Sequence, residues 1–428
     1  MRRSTRLLPL ALVASVALPL AGCSGKETSA TQATDKLEVM SWWTSASEAP
    51  AFKVLTDAYA AANSGVQVTN ASVTGGAGAN ARVELAKRLA AGNPPDVWQT
   101  FAGAATEAFA STKTIRDVSS VFATGGIKEA MQPTILDWVT VDGKQYAMPT
   151  GAHRQNVLFF NKAVLDSAGV SAPAAAYTTK AFLADLEKLK AKGATPLCLG
   201  GKDAFTTGEL FENILLGTAG PKAWGQIQDD KFDWNGTAAK AAFAGLDKVL
   251  SYADTAADSQ SWDQAAGKLA RGECGFLTMN DSGYGEIVKA GGTDTTVGEV
   301  AYPGTDGSYL AVVDVFVAGT TAPNAKNALA FLATLADPAT SVKFSAIKGS
   351  VPVLKTADVA SLPAYEQSAS KALWSSEVLP SLVHGEAMSP KFTQGFYDGV
   401  AAYVRSRDSA TFVKAVSDAV NPSRPQGH

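Results

Sequence analysis

Close behind an apolar leader, the chain alternates strand-like and helix-like segments, and this alternation restricts the fold more than any other feature. LEVMSWW reads as a strand whose side chains point by turns to two faces. From Pro50 onward Phe52, Leu55, Tyr59 and Ala62 recur at helix spacing, and Gly65 ends the run. VQVTNASV alternates as a strand, TGGAGAN turns, ARVELAKRLAAG is helical, and PPDVWQTFAG reads as a turn, a strand and a loop. A β-α-β-α-β opening implies an α/β fold with a largely parallel sheet covered by helices. With 428 residues the chain exceeds one comfortable core, so two domains are expected.

A second unit begins near KQYAMPTGAHRQNVLFFNKAVL. NVLFFN is a strand-like run, followed by helical patterns at 161–169 and 178–192, a strand in TPLCLGG, and helices at 208–219, 236–253 and 261–271. GFLTMND is another strand, VGEVAYPGTDGSYLAVVDVFVAG is strand-rich with a turn at Gly304, and NAKNALAFLATLA is an amphipathic helix. The end is mostly helical, at 361–375, 390–406 and 408–420.

The first 23 residues, MRRSTRLLPLALVASVALPLAGC, have a basic start and an apolar run too short for a membrane span. Their ending, Leu20-Ala21-Gly22-Cys23, resembles a bacterial lipobox, in which Cys23 carries lipid and becomes the mature N-terminus. The polar stretch SGKETSATQATDK that follows reads as a disordered tether. Setting aside the leader's three arginines takes the net charge from −3 to −6. A mildly acidic body argues against nucleic-acid binding, which needs a basic face. Cys198 and Cys274 are then one pair in an exported chain, either bonded or two buried thiols.

Gly75-Gly76-Ala77-Gly78-Ala79-Asn80-Ala81 contains a G-x-G-x-x-A pattern, but no acidic residue ends a strand about 20 residues on. It reads as a glycine turn that lets the backbone approach a helix or a ligand. None of H-E-x-x-H, C-x-x-C, G-x-S-x-G or the phosphate-binding G-x4-G-K-[ST] occurs, and the three histidines are read as structural before catalytic. Trp98 and Trp374 fit core positions on a strand and a helix. Trp42-Trp43 and Ser261-Trp262-Asp263 are harder to bury whole, and an aromatic face beside polar groups suits the C–H face of a pyranose.

Taken together, LAAGNPPDVWQ, GKQYAMPTGAHRQNVLFFNKAVL, RGECGFLTMNDS, YPGTDG and IKGSVPV resemble family 1 extracellular solute-binding proteins of bacterial ABC importers, over residues 36–421. EVMSWWTSASEA, VTGGAGANARVELAKRLAAGNPPDV, HRQNVLFF and SLVHGEA resemble its glucose-binding branch. The resemblance implies a two-lobed α/β clamp, the type 2 periplasmic-binding-protein fold, hinged between its lobes. Residues 1–22 would be the leader, 23–36 the tether, 37–149 with 305–352 the first lobe, 150–304 with 353–421 the second, and 422–428 a flexible tail. Crossings are expected near Met148–Gly151, Tyr302–Gly307 and Pro352.

By the same resemblance Trp42 and Trp43 offer aromatic faces, Glu48 and Asp314 accept from hydroxyls, and Gln99, on the loop after a first-lobe strand, is a ligand contact together with Phe101, Phe205 and Asp281. Trp262 closes the cleft from the other lobe, and Lys348 and His384 donate to sugar oxygens. Three matched positions depart from the branch: Phe101 replaces a frequent His or Lys, Asp281 is followed by Ser282 rather than Trp, and Phe205 stands for a Trp. The implied partners are a small sugar, the membrane subunits of a permease and the membrane itself through the lipid. The chain would act as a monomer with no cofactor, no metal and no enzymatic step. The competing readings are an oligosaccharide receptor, a surface glycoside hydrolase with two cleft carboxyls about 5–9 Å apart, and a surface lipoprotein with no ligand.

Overall fold

The computed structural model describes residues 35–420. While Lys36, expected to end the tether, begins the first strand, the leader, Cys23, the tether up to residue 34 and the tail after 420 lie outside the described residues. Twelve strands occur among them: β1 Lys36–Met40, β2 Gln67–Asn70, β3 Val97–Phe101, β4 Thr140–Val141, β5 Lys144–Gln145, β6 Met148–Arg154, β7 Val157–Asn161, β8 Leu197–Cys198, β9 Phe276–Thr278, β10 Val297–Ala301, β11 Ser308–Ala318 and β12 Glu377–Pro380. They build two main sheets, one in each lobe of a two-lobed fold.

The first sheet has the order β12-β11-β3-β1-β2, with β6 also on β11. The opening β-α-β-α-β yields parallel β1–β2 and β1–β3 pairs, as its pattern implies. β11 runs antiparallel to β3 and β6 because it enters this sheet on the way back from the other lobe. The second sheet, β10-β7-β9-β8, is antiparallel except at β8–β9, so the parallel expectation holds for the first lobe only. Cys198 on β8 is bonded to Cys274 just before β9, with Cα atoms 5.8 Å apart.

The helix Glu48–Ala62 buries Phe52, Leu55 and Tyr59 of the expected stripe, together with Ala51, while Ala62 is exposed at its end. It packs on the helices Ala325–Leu335 and Pro338–Lys348. The second of these begins with Pro338 in its first turn, capped by Asp337, whose carboxylate accepts from Thr340 N–H at 2.8 Å. It ends at Gly349, with φ +83° and room for no Cβ: one would lie 2.4 Å from the Asp281 carbonyl oxygen. Lys348, in the last turn, is thereby delivered to the space between the lobes. Trp374 departs from the core position its sequence implies. It lies on the helix Ala364–Ser375 but is 39% exposed, because Tyr365, Ala369 and Leu373 take the inward face.

Crossings between the sheets set the site. β6 was expected to leave the first sheet near Gly151. It stays on β11 to Arg154, and the chain passes to β7 through Gln155 and Asn156. Pro149, which has no N–H to give a ladder, sits at the register shift opposite Asp314 and Val315. The second crossing spans Tyr302–Gly307, between β10 and β11. Near Pro352 the chain is still tied to the first lobe, by the Ala152–Val351 and Met131–Leu354 bridges. After the helix Ala364–Ser375 it returns to β11 as β12, although 353–421 was assigned to the second lobe.

Glu212 ties two of these segments together. Its carboxyl oxygens receive Gln155 Nε2–H and Leu382 N–H at 2.6 Å each, and Ser381 Oγ–H at 3.1 Å. Burial pushes this carboxyl up to about 7 against those hydrogen bonds. Glu366 lies buried with both side-chain oxygens unpartnered, and burial pushes it to about 8. Both groups hold a proton more tightly folded than unfolded, so this contribution is full below about pH 4.5 and lost as pH rises through 7–8. The thermal midpoint should therefore fall between pH 5 and pH 9. Glu366→Gln should flatten that fall by about 2–4 kcal/mol, read as unfolding free energy at both pH values.

Candidate functional site

A cavity of about 510 Å³ lies between the two sheets. It is built from strand ends and helix starts, where α/β folds place ligands. Trp42 and Trp43 follow β1, and Asp314 lies at the β11–β6 register shift. Asn280 and Ser282 follow β9, while Trp262 and Phe205 each lie in the first turn of a helix.

The two tryptophans divide their work. Trp43 is 1% exposed and packs among Phe52, Phe316 and Phe344, with ring centroids 6.1, 5.6 and 5.1 Å away. Its cavity edge lies under Lys348 Nζ, 5.7 Å from the ring centroid. Trp42 packs against Phe101 at 5.1 Å and against the backbone of Gly78. A Cβ on Gly78, at φ +75°, would stand 2.6 Å from the indole, so the glycine turn serves a close approach to a ring. The lobes also meet at that turn: a Cβ on Gly76 would lie 2.8 Å from Asp203 Oδ1 and 3.0 Å from Phe205.

Beyond the aromatic wall lies a buried network of charges. Lys348 Nζ lies 3.2 Å from Glu48 Oε1 and donates to Ser282 Oγ at 2.7 Å. Burial raises Glu48 above the usual carboxylate range, and Lys348 offsets part of that. His153 Nδ1 is 2.5 Å from Asp281 Oδ1, and its Nε2 is 3.4 Å from Asp314 Oδ2. Burial and Lys348 push His153 down, but Asp281 and Asp314 outweigh them and hold it above its ordinary value. For Asp314 burial would raise the carboxyl, yet His153, Lys348 and Gln99 hold it below the usual range. Asp314 is thus kept an ionised acceptor at the cavity wall.

Of the sequence-predicted residues, Trp42, Trp43, Glu48, Phe101, Phe205, Trp262, Asp314, Lys348 and His384 line the cavity. Gln99, expected on a loop, lies within β3 opposite Phe316, and it and Asp281 stand behind the cavity. Gln99 Oε1 receives Ser41 Oγ–H at 2.7 Å and Trp42 N–H at 3.2 Å, while its Nε2–H donates to Asp314 Oδ1 at 2.7 Å. It fixes an aromatic face and a carboxylate relative to each other. Asp281 Oδ2 accepts from Arg154 N–H at 2.9 Å and Tyr365 O–H at 3.0 Å while Oδ1 holds His153.

The sequence reads His153 as structural, whereas it is both a wall residue and the link between two carboxylates. Asn280, Ser282, Lys202 and Asp203 also line the cavity and were not singled out as contacts. Their one sequence signal is position, just past a strand or just before a helix. Glu209 anchors part of this wall: its carboxylate faces His384 Nε2 at 2.8 Å and receives Asn280 N–H and Nδ2–H at 3.0 and 2.6 Å. Phe101 and Phe205 pack on the His384 ring at 5.1 and 5.8 Å. The arrangement suits a neutral polyhydroxy molecule, with aromatic faces for C–H groups and buried acceptors and donors for hydroxyls.

Residues 44–341 match the sequence profile of the family described as bacterial extracellular solute-binding protein. An "uncharacterized ABC transporter extracellular-binding protein" of Pyrococcus horikoshii is 28% identical, covering 97% of this chain and 95% of its own length. A "probable sugar-binding periplasmic protein" of Mesorhizobium japonicum is also 28% identical, over 90% of this chain and 94% of its own. Among solved structures, a bacterial solute receptor described as having an exclusive preference for β-D-galactopyranose superposes with a TM-score of 0.78 at 17% identity. That match covers 90% of this chain and 97% of the receptor, and it bears on the fold alone.

Proposed function

Since this chain belongs to the bacterial extracellular solute-binding protein family, we propose that it is the sugar receptor of an ABC importer. It captures a monosaccharide, a glucose-like aldose, between its lobes and delivers it to a membrane permease. The observation that carries this reading is the pairing of the Trp42–Phe101 wall with the buried Glu48–Lys348 and Asp314–His153 ion pairs in one cavity. Trp42 and Trp262 offer ring faces, and Glu48, Asp314 and Lys348 pair with hydroxyls.

Binding works without a chemical step. The ligand shifts an open–closed equilibrium because only the closed form touches it from both lobes. The closed form then docks on the permease. A hexose has about 12 heavy atoms, and micromolar affinity, roughly −8 kcal/mol, asks about −0.7 kcal/mol of each. That demands nearly every hydroxyl paired and one stacked ring. The protein acts as a monomer on the outer face of the cytoplasmic membrane, held there by lipid on Cys23.

A second reading, a disaccharide or short oligosaccharide receptor, draws on the cavity volume of about 510 Å³, which falls in the range of drug-sized ligands. Thermal melting against glucose, galactose, mannose, xylose, maltose, cellobiose and trehalose separates the two. Ligand at 100 times its dissociation constant should add about 2.7 kcal/mol. A shift with one monosaccharide supports the first reading, and a shift with disaccharides alone supports the second. No shift with any of the seven sinks both. Product assays on the same sugars with the purified protein should show no hydrolysis, and turnover would return the hydrolase reading.

A further inference from the structure

The lobes touch at a place that no ligand need reach. Ser47 stands at the N-cap position of the helix Glu48–Ala62, where a serine hydroxyl commonly accepts from the helix's own N–H groups. Here it makes no such cap. Both Ser47 N–H and Ser47 Oγ–H donate instead to one oxygen of Glu286, at 2.9 and 2.7 Å. Glu286 belongs to the helix Ser282–Lys289, which follows β9 of the second sheet, whereas Ser47 follows β1 of the first. Both residues are buried, Ser47 at 2% and Glu286 at 5% exposed. Neither lines the 510 Å³ cavity. One carboxylate thus takes two hydrogen bonds at the N-terminus of a helix, where the helix dipole favours negative charge.

We propose that the Ser47–Glu286 contact is a ligand-independent latch that stabilises the closed form. Opening the lobes separates the pair and returns both groups to water. The latch therefore sets how much of the unliganded protein is closed, and through that fraction it scales affinity for every ligand alike. A residue that touches sugar acts otherwise, since its loss weighs differently on ligands that differ at the contacted hydroxyl. The proposal rests on closure as described above for the sugar receptor, but its first readout needs no ligand.

The purified protein is labelled with a dye pair, one dye on each lobe's outer surface, and the interlobe distance distribution is read by single-molecule energy transfer. Glu286→Ala should move the unliganded distribution toward the open distance. Glu286→Gln, which keeps an acceptor oxygen, should move it less. Affinity for each sugar that binds should fall about tenfold in Glu286→Ala, by the same factor for all, mainly through faster release. Ser47→Ala combined with Glu286→Ala should cost no more than Glu286→Ala alone. An unchanged unliganded distribution in Glu286→Ala overturns the latch, whichever sugar binds and even if none does. A loss that differs from sugar to sugar overturns it too, and would place Glu286 among the ligand contacts. A failure of every sugar to bind, with the distance shift present, leaves the latch standing and removes only the sugar reading.

Discussion

Asp314→Asn should weaken sugar binding by about 10-fold or more with little loss of folded protein. The carboxylate is buried, held ionised by His153, Lys348 and Gln99, and placed at the cavity wall by the β11–β6 register shift. In the proposed complex it accepts from a sugar hydroxyl. A hydrogen bond to a charged group contributes about 1.5–3 kcal/mol and one to a neutral amide about 1, so the exchange costs about 1–2 kcal/mol, or about one power of ten. Asparagine keeps the Oδ1 acceptor for Gln99, and His153 keeps Asp281, so the fold retains its ties. Lys348→Met would be a poorer probe. It leaves Glu48 buried without its partner, and the loss of folded protein would mask the loss of binding. Calorimetric titration of Asp314→Asn with the most stabilising sugar is the measurement. A loss under threefold would remove Asp314 from the ligand contacts.

Replacing Cys198 and Cys274 together by alanine should lower stability by about 4 kcal/mol and the thermal midpoint by about 5 °C. The bond closes a segment of 76 residues, and a loop of that length removes about 4–5 kcal/mol of chain entropy from the unfolded state. Both sulfurs are buried within the second lobe, so mild reductant added to the folded protein should act slowly, and the paired substitution is the cleaner test. Sugar affinity should change little, because neither cysteine lines the cavity. An unchanged midpoint would mean that the reduced, unfolded chain is already compact in this region.

The sequence made the first lobe legible and the second only in outline, and the reason is physical. β1, β2 and β3 alternate with helices that carry a clear apolar stripe, so period alone separates them. The second sheet is built of short strands, with β8 only Leu197–Cys198 and β9 only Phe276–Thr278, and two or three residues carry no period. Helices such as Pro338–Lys348 were missed because their buried positions include Thr340, Ser341 and Ser345, which do not read as apolar. Trp374 was misplaced since a helix offers both faces and one residue does not say which is inward. At the site, aromatic and charged residues that resembled a family pattern were found. His153, Asn280 and Asp203 were not, because their importance comes from strands far apart in sequence. Gln99 and Asp281 were named as contacts and stand one layer back, a distinction that only side-chain geometry draws.

The place of β11 has a consequence for how the chain comes together. β1, β2 and β3 are made first and can pair early, but the open edge of β3 is filled only by β11, residues Ser308–Ala318. Until that strand exists the first lobe has an unpaired edge and lacks Asp314. The whole second sheet, β7 through β10, is made in between. Contacts of such long sequence separation form late and slowly. The first sheet therefore cannot lock before β11 has been made, late in the chain. One late strand thus sets both when the first sheet closes and when Asp314 reaches the cavity wall.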